Sequence, residues 1–165
     1  MAFHSYISFK GTKQGQLKGE SLKGSRAKEW SEVESFEMRS AVPVDSKSAT
    51  AKGARTHFPL VITKEAGASS PQLLQALWTS ELLTTVILEV VGRPDSGAGE
   101  VVVERTTLTN ATISEIRRFI DLPSAEHSEH DLGVLEAVHL VFQQIMVENP
   151  LASTSVTESW TTTDK

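Results

Sequence analysis

A strand that leads directly into a helix start, at residues 58–78, constrains the fold of this chain more than any other feature. Leu60 and Ile62 lie on one face of an extended segment, and Pro59 is compatible with a strand near its start or at a sheet edge. This alternation predicts a strand that ends near Lys64. A strand followed by a helix occurs in many unrelated proteins, so the pattern alone indicates no function.

The helix start follows Gly67. Ser70 can accept hydrogen bonds from the free backbone N–H groups at a helix N-terminus, and Pro71 suits the first helical position because it has no N–H to leave unpaired. An apolar stripe follows, made of Leu73, Leu74, Leu77 and Trp78. Together these features predict a short, half-buried α-helix at about residues 71–79.

The rest of the chain is rich in strand patterns. Alternating or β-branched runs occur at residues 3–9, 30–38, 85–91 and 101–108. The sequence Gly97-Ala98-Gly99 lies between the last two runs and predicts a hairpin turn. Residues 41–54 are rich in Ser, Lys, Ala and Gly without periodicity, and they predict a long flexible loop.

Two segments leave the choice between helix and strand open. Ile113, Ile116 and Ile120 recur at helical spacing. Residues 133–147 carry an apolar stripe at helical spacing and also an alternation that suits a strand covered on both faces. The local pattern does not decide between these structures.

Composition limits the class of protein. The length of 165 residues and the hydrophobic content of 39% predict a single domain that comprises residues 1–165. The absence of cysteine excludes disulfides, thiolate metal sites and cysteine nucleophiles. A net charge of −5 argues against a general nucleic-acid binder. We find no signal-peptide pattern and no run long enough to cross a bilayer, so we expect a chain that starts in the cytoplasm.

Charge is distributed unevenly along the chain. Residues 1–28 carry six basic side chains against one acidic, whereas residues 121–165 carry eight acidic side chains against one basic. Two ordinary solvated surfaces would give this pattern. The alternative is a head-to-tail contact in which the basic surface of one subunit meets the acidic surface of the next, as in a closed ring.

Residues with catalytic or metal-binding chemistry are few. His127 and His130 are suitable zinc or nickel ligands, but they share a face only in a helix, and residues 121–131 are typical of a solvated connector. His57 is a candidate base, although a histidine at a strand start more often hydrogen-bonds or packs at an interface. The adjacent charges Lys64-Glu65 precede a turn, a position typical of surface residues. We therefore predict no enzyme activity, no metal site and no cofactor.

A set of short motifs is distributed along almost the whole chain. They are MAFHSYISFKG at the start, GQLKGE at residues 15–20, Arg55, His57 and Pro59, Thr63-Lys64-Glu65, Ser69-Ser70-Pro71 with Leu74, Arg93-Pro94, Leu108-Thr109-Asn110-Ala111, Phe142-Gln143-Gln144-Ile145 and Trp160. Together they resemble the Hcp family, which forms the tube of bacterial type VI secretion systems. After Ile145 the chain departs from the family pattern. The pattern therefore does not decide whether the last hairpin forms, and we expect residues 150–165 to be a C-terminal tail.

The resemblance implies a mainly β fold, a small β-barrel of two antiparallel sheets with the short helix packed outside, and it favours a strand at residues 133–147. It implies hexameric rings that stack into a tube and are expelled with effector cargo, which they also carry and protect. The implied partners are further copies, the spike-tip protein, the contractile sheath, the baseplate and effector proteins in the lumen. The implied location is the cytoplasm before firing, and afterwards the extracellular space or a target cell.

The loop at residues 41–54 is the best candidate for ring-to-ring contact. The candidate interface residues in and beside it are Pro43, Asp45, Lys47, Lys52, Arg55 and His57. The leading alternative is a small metal-dependent hydrolase or carbohydrate-binding β-barrel that uses His57, His127 and His130. A monomeric β-barrel adaptor without a role in a tube is a second alternative.

Overall fold

The computed structural model of the chain describes residues 2–22, 24–93, 97, 99–120 and 133–160. The strands are β1 (Ala2–Gly11), β2 (Gly15–Gln16), β3 (Ser31–Val33), β4 (Ser35–Glu37), β5 (Ser40–Ala41), β6 (Thr56–His57), β7 (Leu60–Glu65), β8 (Leu83–Arg93), β9 (Val101–Ile120), β10 (Val134–Asn149) and β11 (Thr154–Ser159). The helices are α1 (Ser70–Trp78) and a 3-10 turn at Gly24–Arg26. Neither of these helices has the length and apolar character that a membrane span requires.

The strands form two antiparallel sheets, which confirms the predicted mainly β fold. The main sheet has the order β2-β1-β8-β9-β10-β7-β4, with β3 also paired to β1 and β11 also paired to β10. β5 and β6 form a separate two-stranded sheet. The main sheet is not a continuously closed barrel. Its two sides are joined by residues 31–37, which pair first with β1 and then with β7 over three residues each.

A buried row of side chains crosses the main sheet. Phe9, Val86, Leu108 and Ile145 are cross-strand neighbours on β1, β8, β9 and β10, and all four are buried. Burying a side chain of this size stabilises a fold by about 1.5–3 kcal/mol. The row therefore forms the centre of the core, to which the helix contributes Leu73.

The helix lies within one residue of its predicted position, but its start and its buried face differ from the prediction. Ser70 does not cap the helix, because its hydroxyl accepts the Gly67 N–H at 2.8 Å instead. Leu73 and Ala76 are the buried apolar residues of the helix, whereas Trp78 is 77% exposed. The apolar stripe therefore does not extend into the core as far as Trp78.

The isoleucines at helical spacing lie in strand β9, which decides the choice between helix and strand that the sequence left open. In the register with β10, Ile113 pairs with Leu140 and Glu115 pairs with His139. Ser114 lies between them without a partner in the register, so β9 has one extra residue here. Such a β-bulge interrupts the alternation of faces. Ile113 and Ile116, three residues apart, can therefore both pack on the core.

The C-terminal part of the main sheet decides the structure of two segments that the sequence left open. β10 confirms the strand at residues 133–147. β11 pairs with β10 over six residues, so the last hairpin, which the sequence left open, is formed. The predicted hairpin of β8 and β9 is also present. Residues 121–131, with His127 and His130, lie outside the described residues.

Candidate assembly surfaces

Residues 40–57 form a β-hairpin that extends beyond the β4–β7 pair of the main sheet, and we call it the arm. β5 and β6 pair at its base, and Val44 bridges to Ala51 further out. Across the tip, the Asp45 N–H donates to the Thr50 carbonyl at 2.9 Å. The long flexible loop expected here is instead hydrogen-bonded across the hairpin, and the Phe58 N–H, which donates to the Arg39 carbonyl at 2.9 Å, connects its base to the β4–β7 pair.

The arm is exposed along nearly its whole length, although it carries apolar residues. Between residues 40 and 56, Asp45 is half-buried and the other residues are exposed. Val42 and Val44 are 44% and 64% exposed. An ordered, exposed segment with apolar side chains is suited to contact with another protein surface.

Four of the six predicted interface residues lie toward the tip of the arm. The Lys52 N–H donates to the Pro43 carbonyl at 2.7 Å, which places these two residues opposite each other. Asp45 shapes the tip, because its Oδ1 accepts the Lys47 N–H and its carbonyl accepts the Ala49 N–H, both at 2.8 Å. The side chains of both lysines are exposed.

The other two predicted residues, Arg55 and His57, lie at the base of the arm against the end of the chain. Arg55 Nε donates to Glu158 Oε1 at 2.7 Å, and Arg55 Nη2 lies 2.5 Å from the same oxygen. His57 Nδ1 lies 2.8 Å from Ser40 Oγ, and its ring meets Trp160 edge-on with 5.1 Å between the ring centroids. A cleft of about 800 Å³ opens between the arm and the last strand.

A buried ionic cluster links β7, β10 and the helix start, and we call it the Lys64 cluster (Glu20, Lys64, Ser70 and Glu136). Lys64 Nζ lies 2.6 Å from Glu20 Oε1 and 3.0 Å from Glu136 Oε1. It also donates to the Glu65 carbonyl at 2.7 Å. The Ser70 hydroxyl donates to Glu136 Oε1 at 2.8 Å. The second oxygen of this carboxylate, Glu136 Oε2, has no hydrogen-bond partner among the described residues and lies 3.6 Å from Arg118 Nε.

The prediction that Lys64 is a surface residue is wrong, because the side chain is fully buried. Lys64 shares the inward face of β7 with Leu60 and Ile62, as the alternation of a strand requires. A buried ammonium group must be paired, and the two carboxylates supply the pairing. Glu65, on the other face, is exposed as predicted.

Metal binding has little support among the described residues. Within residues 2–22, 24–93, 97, 99–120 and 133–160, no three side chains of His, Asp or Glu are placed to hold a metal ion. Of the three histidines considered, His57 lies at the arm base. The other two are outside the described residues.

The whole chain matches known proteins. It matches the family described as "Type VI secretion system effector, Hcp" over residues 6–148. The chain belongs to the Hcp family. It is 32% identical over 171 aligned residues to the "Major exported protein" of Pseudomonas aeruginosa, with 97% of this chain and 96% of that protein covered.

Solved Hcp structures share the fold. One, described as the crystal structure of Hcp protein, is 27% identical, with a TM-score of 0.83 and coverage of 96% of this chain and 98% of the other. The secreted protein Hcp3 from Pseudomonas aeruginosa is 25% identical, with a TM-score of 0.74 and coverage of 96% and 99%. The chain is therefore a tube protein of the type VI secretion class.

Several motif residues that carry the Hcp resemblance belong to the framework rather than to the arm. Glu20, Lys64 and Ser70 meet in the Lys64 cluster. Gly67 lies close beside them, because a Cβ at this position would lie 2.7 Å from Glu20 Cδ and the Glu20 side chain would have to move. In this chain these residues join the start of α1 to β7 and β10.

The uneven charge of this Hcp chain is partly neutralised within the subunit. Arg26, from the basic N-terminal part, pairs with Glu89. Two of the acidic residues near the other end, Glu136 and Glu158, pair with Lys64 and Arg55. A head-to-tail contact through charge stays a prediction, and these charged groups contribute less to it than the sequence suggested.

Sequence reasoning missed Glu136 and Glu158 as partners of motif residues. The sequence contains a sign that Glu136 has a buried partner, because Glu136 lies in the apolar run at residues 133–147, whose alternation suits a strand covered on both faces. A carboxylate in such a strand requires a buried cation. Glu158 had no local signal, because its partner Arg55 is distant in the sequence.

Proposed function

We propose that this chain forms hexameric rings that stack into the type VI secretion tube, and that the arm makes the contact between successive rings. The observation that carries the proposal is the exposed arm, which is ordered by its own hydrogen bonds. A segment that is ordered before it binds loses less conformational entropy on association. Membership of a tube-forming family supplies the partner, a further copy of the chain.

The wider setting of the proposal follows from the family. The rings enclose effector proteins as cargo, and they work with the spike-tip protein, the contractile sheath and the baseplate. The name of the Pseudomonas aeruginosa relative supports export, so we propose that the chain acts first in the cytoplasm and leaves the cell with the tube. The role is structural rather than enzymatic, and the chain acts as one domain.

A deletion in the arm tests the stacking role. Deleting residues 46–51 removes the tip turn and the Val44–Ala51 bridge but leaves the β5–β6 pairs at the base. We expect rings of normal mass by light scattering and few or no tubes by negative-stain microscopy. The matched control is Leu151→Ser at the exposed tip of the β10–β11 hairpin, which should leave both rings and tubes.

The outcomes separate the parts of the proposal. Unchanged tubes after the deletion would reject the arm as the stacking contact. A monodisperse monomer of the unaltered chain at high concentration would reject the ring. Titration with zinc or nickel by calorimetry tests the metal-dependent alternative, because an assembly subunit should show no stoichiometric binding.

A further inference from the structure

We infer that the last strand of the chain is a latch that fixes the direction of the arm. The consequence for stacking rests on the proposed function, whereas the latch itself rests on contacts within one subunit. These contacts join the arm base, at Arg55 and His57, to the chain end, at Glu158 and Trp160. One contact is polar and the other is aromatic.

The polar contact joins the base of the arm to a carboxylate that the main sheet holds in place. Both Arg55 Nε and Arg55 Nη2 approach Glu158 Oε1. Glu158 is held in place because its backbone is paired with Ile145 in the main sheet. A charge-assisted hydrogen bond is directional, so this pair restrains orientation even where it adds little stability.

The aromatic contact places the arm base on a second fixed group. The planes of the His57 and Trp160 rings meet at 84°, an edge-on geometry that aromatic rings favour. The backbone N–H of Trp160 donates to the Gln143 carbonyl of β10 at 2.9 Å, which holds the residue against the main sheet. Phe142 of the same strand lies 6.1 Å from the His57 ring. The base therefore packs on side chains that the main sheet positions.

Such contacts add restraints to the arm, whose strands belong to a separate small sheet. β5 and β6 pair with each other and have no place in the strand order of the main sheet. The arm is also joined to the main sheet by the backbone, because the Phe58 N–H donates to the Arg39 carbonyl at 2.9 Å between the β4–β7 and the β5–β6 pairs, and the latch adds side-chain restraints to this narrow connection. The cleft of about 800 Å³ between the arm and β11 leaves space for the arm to swing once the latch is broken.

Because of the latch, residues at the end of the chain affect the position of the arm tip. In a stack, the arms of all subunits in a ring must point toward the next ring, and a fixed direction lowers the entropy lost on contact. A change at Glu158 or Trp160 should therefore disturb stacking without altering any residue of the arm.

Spin-label distances test the latch directly, and the natural absence of cysteine makes labelling specific. The labelled positions are Ser48→Cys at the arm tip and Lys10→Cys on β1, both exposed. Labelled chain is mixed with excess unlabelled chain so that pairs within one subunit dominate. We expect one narrow distance in this background.

Four variants in this background separate the latch from a general charge effect. We expect Arg55→Glu and Trp160→Ala each to lose the single narrow distance, and Arg55→Glu combined with Glu158→Arg to recover it. Lys52→Glu is the matched control, because it makes the same charge change on the same arm at an exposed position and should keep the narrow distance. A thermal melt of each variant checks that the subunit is folded.

Each outcome has one meaning. A narrow distance in folded Arg55→Glu, or no recovery in the double reversal, overturns the polar half of the latch. A narrow distance in folded Trp160→Ala overturns the aromatic half. A broad distance together with normal tubes supports the latch but shows that stacking does not need a fixed arm direction. The arm as the stacking contact is rejected only by normal tubes after deletion of residues 46–51, so failure of the latch and failure of the proposed function are distinguishable.

Discussion

The ammonium group of Lys64 lies 3.0 Å from Glu136 Oε1, both side chains are fully buried, and the two residues are directly opposite in the register of β7 and β10. A buried pair of this kind adds little net stability relative to apolar residues, because both charges lose their hydration. Removal of one partner is different, since the other charge then stays buried with less compensation: without Lys64, Glu136 keeps, within the described part of the chain, only the Ser70 hydroxyl and Arg118 Nε, 3.6 Å from its Oε2. The pair therefore restricts which residues positions 64 and 136 tolerate.

We expect Lys64→Met to lower the free energy of unfolding by about 3–5 kcal/mol. Urea unfolding followed by tryptophan fluorescence measures this, at one fixed protein concentration because assembly adds to the apparent stability. The matched control is Glu65→Gln, at the exposed neighbouring position, with a change within about 0.5 kcal/mol. The double variant Lys64→Met with Glu136→Leu should be more stable than Lys64→Met alone. Equal stability of Lys64→Met and the control would contradict the expectation.

We expect Gly67→Ala to destabilise the chain by about 1–3 kcal/mol, because the added methyl group would lie 2.7 Å from Glu20 Cδ and force the Lys64 cluster to move. Gly99→Ala is the matched control, because no atom lies within 4 Å of its added Cβ. Thermal unfolding of the two variants side by side provides the comparison. A melting temperature for Gly67→Ala at or above that of Gly99→Ala would count against the close approach.

The helix should show a sharp contrast between its two faces. We expect Leu73→Ala to lower the free energy of unfolding by about 2–5 kcal/mol, because Leu73 is fully buried. We expect Trp78→Ala to change it by no more than about 0.5 kcal/mol, because Trp78 is 77% exposed. Denaturation of both variants by urea measures the difference. A larger loss for Trp78→Ala in the unassembled subunit would contradict the described packing.

Glu81 should contribute stability that depends on pH. Burial alone would raise the pKa of Glu81, but hydrogen bonds from the backbone N–H groups of Gln14 and Lys13 and from the Gln14 side chain, with the Lys13 charge, hold the pKa below its ordinary value of 4.5. The two backbone bonds to Glu81 Oε1 are 2.8 and 2.7 Å long. Because the folded pKa is lower than the unfolded one, the stabilisation is present above pH 4.5 and is lost as pH falls through the folded pKa.

We expect Glu81→Gln to remove this contribution. The difference in unfolding free energy between the unaltered chain and Glu81→Gln should be largest at neutral pH and should shrink as the pH falls below 4.5. Urea unfolding at a series of pH values measures it, with Glu115→Gln at an exposed position as the control. A difference that stays constant down to strongly acidic pH would refute the role of the charge.

The sequence predicted those elements whose pattern is local and regular. The strand that ends at Glu65, the helix that follows it and the β8–β9 hairpin are all present. The isoleucines of β9 misled because the extra residue Ser114 changes the alternation, and a bulge leaves no local signal of its own. Local patterns thus predict elements better than they predict irregularities within them.

The candidate surface was harder to predict than the fold, for reasons of distance along the chain. The sequence placed Arg55 and His57 among the interface candidates, but their partners Glu158 and Trp160 lie almost at the other end of the chain. The hairpin character of the arm also escaped prediction, because its pairing depends on backbone groups rather than on apolar periodicity. Assignment of these residues to assembly stays a prediction.

The strand order also sets the order in which the subunit can fold. β9 and β10 pair from Ile120 and Val134 onward, residues that are close in sequence, whereas β1 must find β8 far along the chain, as in the Phe9–Val86 pair. Closing the longer loop costs more entropy, so we expect β1 to join late, and Phe9→Leu should speed unfolding more than it slows folding. The edge of β1 that pairs with β8 would then stay open until β8 has been synthesised, whereas β2 and β3 can pair with β1 earlier.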